Sequence, residues 1–570
     1  MRQKFVIWAI SSILPLASAL PVIAADSNGA KYVWPPQQKI QGDPMNLPLL
    51  GYHFGIVDDF TQGGNAESAS YLSVSGSVQP LCTGFNDPVC QHELAKGSNS
   101  WWANAVLPPC STVEADSSCV EGVAITDTNG KRELKLKQVL SGPTWKADSN
   151  HGLIPGGTPS LWVDPNEVDS SLGYKVTSSG ALTVLGARTS PTGTSLTSFQ
   201  SSIAAYKEVK GNYNGYMPVT NSDGVTHIGF GGGPGCIWSE QGVCGVQTDF
   251  KTGSRLQLRV HLPFGLASWL IGRISDPNIS IESIPGQSQI QSVTVEANPV
   301  LVPLFAVDVP LEKLTPTFKD EYQRGNFCNV FPQCGHGFVG GNTAASFPTA
   351  FQGFELFHDY WDQKANIMMP TWSVRTPVNR NSSLSTNCSS GLPMFSGLVT
   401  TNASIYEGNP PTWDGTSLTY KVAGLHLDPD GNVFQGSYDL IINSQDARCL
   451  YKFSNAPITA TVSITDSQGS NDVATTSFQE KNGWVHLAAR GFTFSSPTVK
   501  VVLQQAAPIA TPAPTATPAS SPTSTITAET PLMASATLGK KQIAIKCTKG
   551  KFTKTVTGSS PKCPTGFKKK

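Results

Sequence analysis

The segment Phe354-Glu355-Leu356-Phe357-His358-Asp359-Tyr360-Trp361-Asp362 is the densest group of chemically capable side chains in the sequence. As a helix it would set His358 and Asp362 one turn apart on one face, a spacing that can bind a metal or polarise a water. The same helix would turn Phe354, Phe357 and Trp361 onto a sheet and leave His358 and Asp362 at its polar edge, and this packing role is the expectation. Asp58-Asp59 could supply a carboxylate for glycoside cleavage, which takes two carboxyls roughly 5 to 10 Å apart, so its partner must come from elsewhere in the chain. Trp101-Trp102 could stack on sugar rings, although aromatic pairs in β proteins usually bury their area. No catalytic set is assigned. Asp58, Asp59, His358 and Asp362 are the residues that would carry one. A cleft joining two or more of Asp58, Asp59, Glu93, His358, Asp359, Asp362 and Asp414 would mark it.

The familiar motifs fail on single residues. His92-Glu93-Leu94-Ala95-Lys96 starts like a zinc-protease helix, but Lys96 stands where the second His must be. Gly229 to Gly235 is followed by Cys236 rather than Lys-Ser or Lys-Thr, which makes it a loop and not a phosphate cradle. Asp428, Asp430 and Asn432 resemble the start of a calcium loop, yet Gly431 comes two positions early and Val433 occupies the place that needs Gly. A hairpin turn is the expectation there. No Gly-x-Ser-x-Gly elbow occurs. Neither a cofactor nor a metal is called for.

The elements that must position such residues read as strands. Arg255 to Leu262 alternates strictly, as do Ile458, Ala460, Val462 and Ile464, and the run from Ile290 to Val295. Asn129-Gly130 separates Val123-Ala124-Ile125 from Leu134-Lys135-Leu136, Asp430-Gly431 turns the chain between Leu425 and Tyr438, and Asn482-Gly483 supplies another turn. Helical patterns are few, the best being Phe199 to Val209 and Phe351 to Ala365. With 53 Gly, 42 Pro and only 14% charged residues, strands and turns dominate. The expected fold is mainly β: two or three β-sandwich-like domains with short helices, stapled by disulfides, then a disordered linker and a small basic tail.

Arg2 and Lys4, the apolar run Phe5 to Leu16 and the small residues before Ala24-Ala25 predict a secretory signal peptide over 1–25. The run is too short and broken to span a bilayer comfortably, so no transmembrane segment is expected in the mature chain. The 12 cysteines suit an oxidising compartment. Eight are near neighbours: Cys82 with Cys90, Cys110 with Cys119, Cys236 with Cys244, Cys328 with Cys334. The natural remainder is Cys388 with Cys449 and Cys547 with Cys563, although sequence alone does not prove the pairing. No Cys-x-x-Cys occurs and no His sits at zinc-finger spacing.

The net charge of zero hides a segregation. Residues 540–570 hold 10 Lys and no acid; between the signal and this tail stand 28 basic residues against 40 acidic, a net charge of −12. An acidic body argues against nucleic acid as partner, because phosphate neutralisation dominates that affinity. The polar stretch Gly211 to Thr226 and the segment near Ser444 to Cys449 suggest borders, giving domains at 26–215 and 216–445 and a small β segment at 446–505. Residues 506–537 form a Pro/Ala/Thr-rich linker able to reach roughly 90 Å at about 3.1 Å per residue, and 538–570 form the tail.

In that tail, Ile543-Ala544-Ile545-Lys546-Cys547-Thr548-Lys549-Gly550-Lys551, Lys554-Thr555-Val556-Thr557-Gly558 and Pro561-Lys562-Cys563-Pro564-Thr565-Gly566-Phe567-Lys568-Lys569-Lys570 resemble the terminal module of uncharacterised actinobacterial secreted proteins. Thr459 to Leu503 is similar to the segment that often precedes it. The stretch Leu107 to Glu121 is faintly similar to further proteins of the same bacteria. The resemblance implies export to a Gram-positive envelope and attaches no enzymatic activity.

Independently of it, Lys546, Lys549, Lys551, Lys554, Lys562, Lys568, Lys569 and Lys570 on a small cross-linked scaffold suit an anionic envelope polymer or surface, or act simply as a solubilising tail. Lys rather than Arg favours diffuse attraction over bidentate recognition. Two function classes remain. The first is a non-catalytic structural, adhesive or ligand-binding protein displayed at the envelope, with a glycan as a possible ligand; the alternative is a secreted hydrolase acting on polysaccharide or another extracellular polymer.

Overall fold

The strand Arg255–Pro263 buries Leu256, Leu258, Val260 and Leu262 and turns Arg255, Gln257, Arg259 and His261 outward. It pairs antiparallel with Cys119–Asp127 on one side and Ile290–Asn298 on the other, the centre of a five-stranded sheet completed by Ser275–Ser283 and Gly130–Glu133. The computed structural model describes residues 51–56, most of 69–310, residues 316, 351 and 354, 364–377, most of 396–505, and 543–549, 552–558 and 568–569. The chain divides into two compact units, Met1–Pro508 and Ile509–Lys570.

The first unit is mainly β, as the composition predicts. Its largest sheet runs through Tyr71–Val74, Trp101–Val106, Leu172–Ala187, Gln200–Lys210, Ile367–Arg375, Trp269–Arg273, Gly397–Thr401, Gly436–Asn443, Trp484–Phe492 and Thr475–Lys481. Every pairing on this path is antiparallel except that of Trp269–Arg273 with Gly397–Thr401. This sheet is covered on both faces. Leu270, Leu398 and Ile441 enter one core with Val123, Leu258 and Val295 of the five-stranded sheet. Their neighbours Ile271, Val399, Leu440 and Ile442 enter a second core with Leu418, Tyr420, Val422, Val499 and Val501 of a six-stranded sheet. Successive side chains of a strand point to opposite faces, so the shared strands serve two cores and are buried along nearly their whole length. Gly397 permits this crowding: a Cβ there would meet the Trp269 ring at 2.4 Å and the Ile441 carbonyl oxygen at 2.5 Å.

Two expectations change. Phe199 to Val209 is no helix; Gln200–Lys210 is a strand, with Ile203 and Ala205 in the first core and Ala204 and Tyr206 in a separate cluster with Ile237 and Trp238. Burial of both faces erased the alternation. The borders expected near 215 and 445 are each spanned by paired strands: Cys119–Asp127 with Arg255–Pro263, Gln200–Lys210 with Ile367–Arg375, and Gly436–Asn443 with Trp484–Phe492. Segments 26–215, 216–445 and 446–505 thus share sheets, and the polar stretch after Gly211 contains a hairpin, Met217–Thr220 with Thr226–Gly229.

Local signals act where they were read. Asn482 and Gly483 take φ of 52° and 79°, the left-handed pair that a tight hairpin between Thr475–Lys481 and Trp484–Phe492 requires. The Asp428 carboxylate accepts from the Asp430 and Asn432 amides at 2.9 and 2.8 Å, so it closes a turn. The hairpin at Asn129 returns through Gly130–Glu133, after which Lys135–Val139 leaves the five-stranded sheet to pair with Ser160–Val163 in the large one. Two helices of eight residues are described, Pro88–Ala95 capped by Asp87 and Ser444–Tyr451 capped by Asn443.

Covalent and ionic ties join these layers. Bridges link Cys82 to Cys90, Cys110 to Cys119 and Cys236 to Cys244. Cys449 is also disulfide-bonded; Cys328, Cys334, Cys388 and Cys563 lie outside the described residues. Arg132 on Gly130–Glu133 donates from Nε to Asp164 Oδ1 at 2.7 Å and from Nη1 and Nη2 to the Asp127 carboxylate at 2.8 and 2.9 Å, while Lys251 reaches Asp127 at 2.9 Å. Buried Lys175 donates to the Ile237 carbonyl at 2.7 Å, and burial pushes its pKa down to about 8.

In the second unit, Ile543–Lys549 pairs with Phe552–Gly558 and with Lys568–Lys569, which sets Cys547 opposite both Lys554 and Lys569 in register. The signal-peptide segment 1–25 and the linker 506–537 lie outside the described residues. No helix among those described is long and apolar enough to cross a membrane.

Candidate functional site

Where the five-stranded sheet ends, its edge strand Ser275–Ser283 leaves part of the large sheet uncovered. The gap is a cleft of about 1060 Å³. One wall is Asp276 to Glu282; the floor comes from Gly436–Asn443, Thr475–Lys481 and Trp484–Phe492. Strand alternation explains the floor: Val485, Leu487 and Ala489 go to the second core, which leaves Trp484, His486 and Ala488 on the cleft side. Ser477, Gln479 and Lys481 are exposed beside them.

Asp276 sits at a bulge in the pairing of its strand, with φ of 51° in the left-handed region, unusual for a residue other than Gly. Its carboxylate is exposed and meets Arg255 Nη1 at 3.1 Å, while its backbone N–H points at Asp439 Oδ2 at 3.3 Å. Asp439 is buried. Burial raises its pKa, and the Arg490 guanidinium, which donates to it at 2.5 Å, works the other way. Thr400 donates to the same carboxylate at 3.3 Å. Burial lowers the pKa of His486, with Asp276 opposing that shift. The cleft is lined by the indole of Trp484, side-chain amides of Asn278, Gln291, Gln479 and Asn482, hydroxyls, and the charges of Asp276, which Arg255 engages, Glu282 and Lys481. Such a set stacks on and hydrogen-bonds to polyhydroxylated rings.

Among the described residues, none of the catalytic candidates singled out in the sequence lines this cleft. Glu93 is buried in Pro88–Ala95 and pairs with Lys96 at 2.8 Å. Asp414 accepts from Thr416 and Ser417 in a turn, and those bonds hold its pKa well below the usual carboxylate range. Asp58, Asp59, His358, Asp359 and Asp362 lie outside the described residues. Trp101 is buried edge-on against Phe85 at 5.0 Å, and Trp102 is 52% exposed on the opposite face. Lys568 and Lys569 are exposed; Lys546, Lys549 and Lys554 have their backbone in the strands of the second unit; Lys551, Lys562 and Lys570 lie outside the described residues. The cleft residues escaped notice because five strands bring them together across long separations in sequence, with no local spacing to betray them. No protein-family model, curated protein or solved structure matches the chain.

Proposed function

We propose that this is a non-catalytic, envelope-displayed binding protein whose cleft takes a neutral glycan and whose tail grips an anionic envelope polymer. The observation that carries the reading is the cleft, where Trp484 lies among amides and hydroxyls. Its charges, Asp276 and Glu282 against Lys481, disfavour a polyanion. Asp439 is engaged by Arg490, Thr400 and the Asp276 amide, which suits a structural ion pair.

A glycan array with the purified full-length chain is the test. A neutral oligosaccharide should bind, and Trp484→Ala should weaken it at least about tenfold, since one stacked ring contributes about 1–3 kcal/mol. Absence of any glycan ligand, or unchanged binding by Trp484→Ala, would remove the reading. One observation favours the alternative of a hydrolase: Asp276 and Asp439 share the cleft in unlike environments. Release of reducing ends in the same incubations, abolished by Asp276→Asn, would decide for it.

The tail's part rests on 10 unopposed lysines in residues 540–570. Exposed lysines are screened as the Debye length falls from about 10 Å at 0.1 M salt to about 3 Å at 1 M. Washing whole cells at high salt should release the protein, and deletion of residues 540–570 should move it to the medium. A truncated chain that stays cell-bound would show that the body carries the attachment.

A further inference from the structure

The bridge between Cys110 and Cys119 differs from the other two described. Cys82, Cys90, Cys236 and Cys244 are all buried, whereas Cys110 is partly exposed at the start of a short turn, Cys110–Thr112, whose next two residues are exposed. Its partner Cys119 is buried and opens the strand Cys119–Asp127, in register with His261 on the neighbouring strand. That register lays an imidazole on the bridge: His261 Nδ1 is 3.6 Å from Cys119 Sγ and 3.8 Å from Cys110 Sγ. On the far side of the ring, Nε2 lies 3.3 Å from Glu121 Oε2. An ionised carboxylate only accepts, so Nε2 carries a proton and Nδ1 is left to serve the sulfurs. Glu121 is itself held, accepting from Arg259 Nε at 3.1 Å and Ser292 Oγ at 3.3 Å.

We infer that Cys110–Cys119 is an exchange-active disulfide that takes an external dithiol as its substrate, with His261 supplying the proton to the departing sulfur and Glu121 positioning His261. A thiolate of the dithiol attacks Cys110 Sγ, the accessible sulfur. The bond between the two cysteines breaks, its electron pair passes to Cys119 Sγ, and that sulfur takes the proton from Nδ1 of the imidazolium. The second thiolate of the dithiol then attacks the external sulfur of the mixed disulfide and expels Cys110. The dithiol ends as a disulfide, its two protons lost to solvent; the bridge has gained two electrons, one proton from His261 and a second from solvent at the expelled Cys110 thiolate, and the imidazole regains its proton from solvent. Protonating the leaving thiolate where it is buried removes the cost of a charge there, which is what the other buried sulfurs would have to bear.

The charged groups around His261 are Glu121 and Arg259, Glu133 reached through Arg259, Glu282 on the strand beyond Ser292, and Glu114 and Asp116 in the loop that the bridge closes. Changing His261 alone leaves all of them in place.

The test is differential alkylation and peptide mapping of the full-length protein during reduction by dithiothreitol. Cys110–Cys119 should open at least about tenfold faster than Cys82–Cys90 and Cys236–Cys244. His261→Gln should slow its opening about tenfold and remove the solvent deuterium isotope effect that proton transfer to Cys119 Sγ imposes. Glu121→Gln should fall between. Equal rates for the three bridges in the unaltered protein would overturn the inference, and so would a His261→Gln effect that is absent or that leaves the isotope effect in place, the mark of a merely structural role.

Discussion

Trp372→Ala should lower the melting temperature of the body by roughly 8–15 °C, while Trp102→Ala should leave it nearly unchanged. Trp372 is fully buried on Ile367–Arg375, opposite Ile203 in register, and its Nε1 donates to the Ala297 carbonyl at 3.2 Å. It therefore fills the first core from the large sheet while hydrogen-bonding across to the five-stranded sheet. Truncating a buried Trp costs about 3–5 kcal/mol, and the carbonyl left without its donor adds about 1 kcal/mol or more. A large domain loses about 2–4 °C per kcal/mol. Trp102 has half its surface in water, and substitutions at such positions usually change stability by about 0.5 kcal/mol or less. Scanning calorimetry on both variants checks the pair. A Trp372→Ala protein melting within 2 °C of the parent would mean that the two layers are not packed as described.

Arg132→Met should have the second largest effect, and one with a characteristic pH dependence. The side chain ties Asp127, at the end of one layer, to Asp164 in the other, and both carboxylates are held below the usual range with Arg132 as the chief cause. Groups whose folded pKa is depressed contribute stability that is present above the unfolded carboxylate value of about 3.9 and is lost as pH falls through the lower folded values. Without Arg132, Asp164 keeps the Asn166 amide against the opposing influence of burial, and Asp127 retains Lys251 and the Asn129 amide. The stabilising contribution of both carboxylates then shrinks, with burial opposing ionisation at Asp164. The melting temperature should drop by roughly 5–10 °C at neutral pH, with the gap beginning to narrow below about pH 4 and closing only as pH falls through the lowered folded values. A gap that does not change between these conditions would show that the loss is one of packing alone.

The contrast between Arg255–Pro263 and Gln200–Lys210 explains how much of this fold was legible in the sequence. The first strand has one wet face, so its alternation survives as Leu256, Leu258, Val260 and Leu262. In the second, Ile203, Ala204, Ala205 and Tyr206 are all buried, and their spacing with Phe199 imitates a helical stripe. Gly397–Thr401 and Gly436–Asn443 are silent for the same reason. Turn chemistry was readable because Asn482-Gly483 needs only its own backbone. The cleft was not readable, because Asp276, Asp439, Gln479 and His486 come together only through strand pairing over long separations. The redox-capable bridge fell between the two. Its cysteines stood out as neighbours, but His261 was hidden among the outward residues of a well-formed strand.

A sheet clothed on both sides also dictates the order of events during synthesis. Gln200–Lys210 finds Ile367–Arg375 only long after it has emerged, and Gly436–Asn443 waits for Trp484–Phe492. Contacts so distant along the chain make folding slow, since loop closure must precede any gain from pairing. A chain released N-terminus first thus lingers with unpaired strand edges, vulnerable to aggregation at each of them. Stop codons or proteolytic cuts before Thr498–Gln505, the strand that anchors the six-stranded cover, would leave Val399, Leu440 and Ile442 open to water. The product of such an event is an adhesive, protease-sensitive fragment, so this body is made whole or effectively not at all.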